Sequence, residues 1–135
     1  MTTYAEVEAF VLTLPETAAG PSYGGAPALR VNKKLVARLR AEMAEDLDDL
    51  TGEPYGDVLM VGVGDLGEKE ALLTEDPRAY FTVPHYDGYP AVLVRLALAD
   101  LAELRELLMD AWMRAAPKRA LKAYRETVGP LPGDP

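Results

Sequence analysis

The sequence contains no cysteine, a single histidine and a single serine. Without thiols there is no disulfide framework, no thiolate metal site and no cysteine nucleophile, which fits a cytoplasmic chain. Ser22 stands alone in a Pro/Gly-rich stretch with no candidate base beside it, so a serine nucleophile is not expected. Apolar runs are short, none approaching the roughly 20 residues that span a bilayer. Residues 1–6 lack the basic and apolar regions of a signal peptide. The expectation is a soluble cytoplasmic protein that makes no membrane contact. No internal repeat or linker divides the chain.

What remains is an ordinary globular composition: 135 residues, 49% apolar and 27% charged, enough for one domain with a real core. Residues 1–128 read as that domain and 129–135, Gly-Pro-Leu-Pro-Gly-Asp-Pro, as a flexible tail. Net charge is −8 with a pI near 4.6, which as a whole repels nucleic acid. The charge is uneven, however. Residues 30–40 hold Arg30, Lys33, Lys34, Arg38 and Arg40 with no acid, and residues 114–125 hold Arg114, Lys118, Arg119, Lys122 and Arg125 with no acid. Between them, residues 41–76 hold twelve acids against Lys69 alone. A local basic patch is compatible with this pattern.

Thr3 with Glu6 predicts a capping box opening a helix that Pro15 stops. Residues 15–27 read as an irregular loop. Residues 27–31 and 35–40 read as strands joined by a tight Asn32-Lys33 turn. The spacing of Met43, Leu47 and Leu50 predicts a short amphipathic helix over 41–50. Residues 58–63 are apolar throughout, as in a central strand covered on both sides. Asp65 caps a helix to about Leu73; residues 80–83 and 91–98 read as strands. Asp100 caps the longest helix, striped by Leu101, Leu104, Leu107, Leu108, Ala111, Trp112 and Ala115. Pro117 opens a last helix. Strands joined by hairpins and short helices, without regular βαβ crossovers, predict an α+β fold: an antiparallel sheet of about five strands with helices packed on one face.

Few residues point to chemistry. His85 lies in a Pro84–Pro90 connection whose prolines and Gly88 account for its shape. Catalysis there is disfavoured, because no nucleophile accompanies the histidine. Display is favoured: His85, Tyr86 and Tyr89 are flat rings able to stack on a base or a ligand. Glu42, Glu45, Asp46 and Asp49 could meet a hard cation, but the calcium-loop order is missing and a solvated helix face is preferred. Gly62-Val63-Gly64-Asp65-Leu66-Gly67 matches a dinucleotide fingerprint literally, yet Asp65 would set a negative charge against the phosphate, so a strand exit with a helix cap is preferred. Lys118 and Arg119 sit at a helix start, where the dipole favours acids. That opposition to local stability weakly suggests an anion contact there, with an ordinary solvated surface at least as well supported. No cofactor, metal or catalytic residue is expected.

Two segments carry a family resemblance. Pro84-His85-Tyr86-Asp87-Gly88-Tyr89-Pro90-Ala91-Val92-Leu93-Val94-Arg95-Leu96 and Ala111-Trp112-Met113-Arg114-Ala115-Ala116-Pro117-Lys118-Arg119 resemble the two signatures of the MmcQ/YjbR family. The likeness implies a frataxin-like, or double-wing, sandwich and a non-enzymatic DNA-binding role. It also implies a surface cluster drawn from His85, Tyr86, Tyr89, Arg95, Lys118 and Arg119, serving DNA or else a protein or small anionic ligand. The acidic connection from Arg40 to Asp57 is longer than the family pattern implies and opposes nucleic acid wherever it meets that cluster.

Overall fold

The computed structural model describes residues 1–135, apart from the Tyr23 side chain. Its first helix, α1 (Tyr4–Val11), starts as the capping box dictates: Glu6 N–H donates to the Thr3 hydroxyl and Thr3 N–H donates to the Glu6 carboxylate. Val7 and Val11 fall on its buried face. The chain then reverses through Glu16, whose φ is 60°, into β1 (Thr17–Pro21).

This strand replaces the irregular loop expected over 15–27. Thr-Ala-Ala-Gly-Pro has no apolar alternation to announce it. It is an edge strand held by its register against β2 (Pro27–Val31), from Thr17 opposite Val31 to Pro21 opposite Pro27. Prolines are tolerated at such edges because no neighbour needs their N–H. The next connection is the predicted hairpin. Asn32 (φ 47°) and Lys33 (φ 71°) make the left-handed turn that leads into β3 (Lys34–Leu39).

The helix expected over 41–50 does not form. A single 3₁₀ turn at Ala41–Met43 is followed by a loop pinched at a Leu47–Pro54 bridge. The apolar spacing misled because only Met43 of the three enters the core, Leu47 being 64% exposed. Asp48, which was not among the acids expected on a solvated helix face, is 1% exposed and bonded to Arg95.

From there the expected order holds: β4 (Val58–Gly62), α2 (Leu66–Glu75) capped by Asp65, β5 (Tyr80–Phe81) and β6 (Ala91–Arg95). The expected strand over 91–98 ends at Arg95, where a 3₁₀ turn at Leu96–Leu98 redirects the chain. Helix α3 (Leu101–Ala115) follows, with the Asp100 carboxylate accepting from Ala102 and Glu103 N–H, and then α4 (Lys118–Thr127).

The six strands form one antiparallel sheet in the order β1-β2-β3-β4-β6-β5. Alternation divides its faces. Leu59, Val61, Val92 and Val94 pack with Val7, Val11, Leu104, Leu108 and Trp112 of the helices. On the other face Val58, Phe81, Ala91 and Leu93 pack with Met43 and Tyr86. The helical layer thus covers one face, as expected, while the segments 41–57 and 84–90 cover part of the opposite one. Residues 129–135, expected as a flexible tail, set Leu131 into the helical core and bond Asp134 to Arg125 through two N–H donors. No helix among the described residues is long and apolar enough to cross a membrane.

Candidate functional site

The loop-covered face carries three arginines, and each is already engaged. Arg38 and Arg40 both bond Glu42, Arg38 at 3.2 Å. Burial pushes the Glu42 carboxyl up, but its own backbone N–H and the two guanidinium groups outweigh this and hold it below its ordinary value. Arg40 also lies 5.1 Å from the centre of the Tyr86 ring. Arg95 donates to both oxygens of Asp48, at 2.5 and 2.9 Å, and its remaining arm reaches the carbonyls of Pro77 and Arg78. Its guanidinium carbon sits 4.2 Å from the Phe81 ring centre. The Arg95 hydrogen bonds hold the Asp48 carboxyl below the usual carboxylate range, against the opposing effect of burial.

Arg95 and Tyr86 are therefore not surface residues, contrary to the expected cluster. Each is 8% exposed, because Asp48 draws one guanidinium inward and the 3₁₀ turn at Pro84–Tyr86 turns the phenol into the second core. His85 and Tyr89, the latter 56% exposed, remain on the outside of that loop. His85 contacts Tyr86 edge-on at 5.1 Å. Among the described residues no hydrogen bond orients its imidazole as a general base would need. The loop itself is stapled by Lys69, whose ammonium donates to the carbonyls of Tyr86 (2.6 Å) and Tyr89 (3.0 Å).

Lys118 and Arg119 lie elsewhere. The Arg119 guanidinium donates to Glu16 Oε1 (2.7 and 3.0 Å) and more weakly to Asn32 Oδ1 (3.4 Å). Asn32 N–H in turn donates to the Glu16 carbonyl. These bonds fasten the start of α4 to the β2–β3 turn, and so join the two basic segments 30–40 and 114–125. Lys33, Lys34 and Lys118 are exposed, and among the described residues none has a carboxylate within 4.0 Å. Glu16 is the one acid engaged at this corner. All three non-glycine residues with positive φ, Glu16, Asn32 and Lys33, meet here.

The six expected site residues thus fall in three neighbourhoods: His85, Tyr86 and Tyr89 on the stapled loop, Arg95 in the core, Lys118 and Arg119 at the corner. Lys33 and Lys34 were read as charge and as part of the hairpin, and none of Lys33, Lys34 and Glu16 was among the expected site residues. The glycine fingerprint is occupied from within. Gly64 N–H donates to Glu68 Oε2 at 3.0 Å, Glu68 N–H donates to Asp65, and a Cβ at Gly64 would lie 2.7 Å from that Glu68 oxygen. The cradle that would hold a phosphate holds a carboxylate.

A model of the YjbR family matches residues 12–114, more than half of the sequence. The chain belongs to the YjbR family. Its relatives include the uncharacterized protein Rv2570 of Mycobacterium tuberculosis, 41% identical over 133 residues that cover 96% of this chain and 100% of that one. The uncharacterized protein Mb2600 of Mycobacterium bovis matches to the same extent. The crystal structure of Deinococcus radiodurans DR2400, with a DUF419 domain, aligns at a TM-score of 0.63 and 21% identity, covering 96% of this chain and 89% of its own. That likeness extends the YjbR fold across nearly the whole molecule.

Proposed function

We propose that this YjbR protein is a non-enzymatic binding module that holds a nucleic-acid backbone at the corner formed by the β2–β3 turn and the start of α4. The observation that carries the reading is the Arg119–Glu16–Asn32 link, which joins two basic segments far apart in sequence into one surface. Three lysines there are unpaired, and Arg119 keeps donors beyond those given to Glu16. A hairpin turn and a helix start offer point charges to phosphates rather than a blade for a groove, so binding is independent of sequence. Four cations imply a slope of log affinity against log salt of about −3 to −4 on duplex DNA. With a net charge of −8 opposing it, the interaction belongs to low ionic strength.

The test is a fluorescence-anisotropy titration of duplex and single-stranded DNA at low and moderate salt, with Lys118→Ala/Arg119→Ala as the comparison. Saturable binding whose salt slope drops by about two in the double variant supports the reading. Absence of binding at low salt overturns it. Because a net charge of −8 repels a long polyanion more than a small ligand, a second reading has the same corner take a small anion, free or presented by a protein partner. A shallow salt slope with a monovalent phosphate competitor, lost in the same variant, distinguishes it.

A further inference from the structure

We propose that the cavity where α1, α3, α4 and the C-terminal segment meet binds a small amphipathic zwitterion. Its ligand has an apolar body, a carboxylate and an ammonium group, as a free amino acid with a large apolar side chain does. The cavity measures about 420 Å³, within the range of small-molecule sites. Phe10, Met109, Tyr124 and Pro132 supply its apolar surface, and Arg105, Glu106 and Asp110 are its charged lining residues. The corner that holds Lys33, Lys34, Lys118 and Arg119 contributes none of these, so the site stands apart from the nucleic-acid reading.

Arg105 is the anchor. Its neighbours one turn away on α3 are Leu101, Ala102, Leu108 and Met109, so the helix offers it no acid. Among the described residues no carboxylate lies within 4.0 Å of its guanidinium, whereas Arg38, Arg40, Arg95, Arg119 and Arg125 each hold one. The guanidinium carbon sits 5.8 Å from the centre of the Phe10 ring. A phenyl ring has no oxygen acceptor, so the N–H fork stays free for a bidentate carboxylate beside an apolar surface.

The other pole is acidic. Glu106 and Asp110 stand one turn apart on α3, a like-charged pair, and neither has a cation within 4.0 Å among the described residues. One guanidinium against two carboxylates repels a simple anion, and a simple cation leaves Arg105 unmatched. A zwitterion meets both poles, and its apolar body faces Met109 and the two rings, where a thioether adapts to irregular shapes. The remaining wall is fixed in advance. Leu131 is buried, and Arg125 and the Leu131 N–H both donate to the Asp134 carboxylate. These bonds hold Pro132 at the cavity, which lowers the ordering cost of binding.

The experiment is a 15N–1H NMR titration of the full chain with phenylalanine, leucine and methionine. Phenylalaninamide, which lacks the carboxylate, and N-acetylphenylalanine, which lacks the ammonium group, run beside them. Trp112, the only tryptophan, lies 5.7 Å from the Tyr124 ring and gives a parallel fluorescence signal. The expected result is saturable shifts confined to residues around 10, 105–110, 124 and 131–134, with both blocked forms at least about tenfold weaker than phenylalanine. Arg105→Gln, at an exposed position, weakens phenylalanine to the level of the amide and leaves binding of the amide unchanged. That pattern separates a carboxylate contact from a general loss of structure. The proposal is overturned if none of the three amino acids gives saturable shifts, or if either blocked form binds as tightly as phenylalanine. It is equally overturned if Arg105→Gln binds phenylalanine as the parent does, or if the shifts centre on residues 33, 34, 118 and 119.

Discussion

Arginines on the sheet face and lysines at the corner begin as the same kind of feature, cations clustered in an acidic chain. Their fates differ because of where carboxylates fall. On the sheet face Glu42 and Asp48, both from the connection between β3 and β4, close over Arg38, Arg40 and Arg95. At the corner only Glu16 arrives, and three lysines stay open. A count of basic residues therefore says little about binding; the partner of each cation decides whether it is structural or available.

The largest test of that contrast is Asp48→Ala. It leaves the Arg95 charge buried without its partner and is expected to cost about 3–5 kcal/mol, read as a lower urea midpoint with an unchanged slope. Arg119→Ala, at an exposed pair, is expected to change stability by at most about 1 kcal/mol. A loss near 1 kcal/mol for both would erase the distinction. The pH dependence carries the same signature. Because the folded Asp48 carboxyl lies below its ordinary value, its contribution is complete above about pH 4, the usual aspartate pKa. It fades as pH falls through the lowered folded value. The gap between parent and Asp48→Asn should hold from pH 7 to about pH 4 and narrow below it.

Lys69 offers an intermediate case, a cation that is neither ion-paired nor available. Replacing it by methionine leaves the carbonyls of Tyr86 and Tyr89 without their donor and should cost about 2 kcal/mol, with faster amide exchange in residues 84–90. An unchanged exchange pattern would mean that the two prolines and the Tyr86 contacts hold the loop unaided.

These cases also mark what could be read from sequence. Caps at Thr3, Asp65 and Asp100, the Asn32-Lys33 turn and the apolar run of β4 were legible because each depends on residues a few positions apart. The strand β1 was not, since only its pairing with β2 makes Thr-Ala-Ala-Gly-Pro extended. The false helix over 41–50 fails for the converse reason: local spacing favoured it, and a bond from Asp48 to a residue 47 positions away removed it. Site prediction suffered likewise. The two basic segments were visible as charge, but which cations remained open depended on Glu42, Asp48 and Glu16, whose partners no local pattern reveals.

A weaker functional test sets the two groups against each other directly. Lys33→Ala/Lys34→Ala should lower DNA affinity at low salt about tenfold and reduce the salt slope by about two. Arg38→Ala/Arg40→Ala should reduce the slope by at most about one, because the single Glu42 carboxylate they share already offsets one of the two charges. Equal losses from both pairs would mean that the acidic connection swings away when nucleic acid binds.

The smallest expected effect is the most discriminating about why the corner looks as it does. Lys33 holds the second position of a left-handed hairpin turn with φ 71°, a place where glycine is favoured because it has no Cβ to clash. Lys33→Gly should therefore raise stability by about 0.5–1 kcal/mol, seen as a slightly higher urea midpoint. If the corner serves only the fold, nothing else should change. If it serves a polyanion, the same substitution should weaken binding and reduce the salt slope by about one. A gain in stability joined to a loss of binding would mean that this turn keeps a strained lysine for its charge.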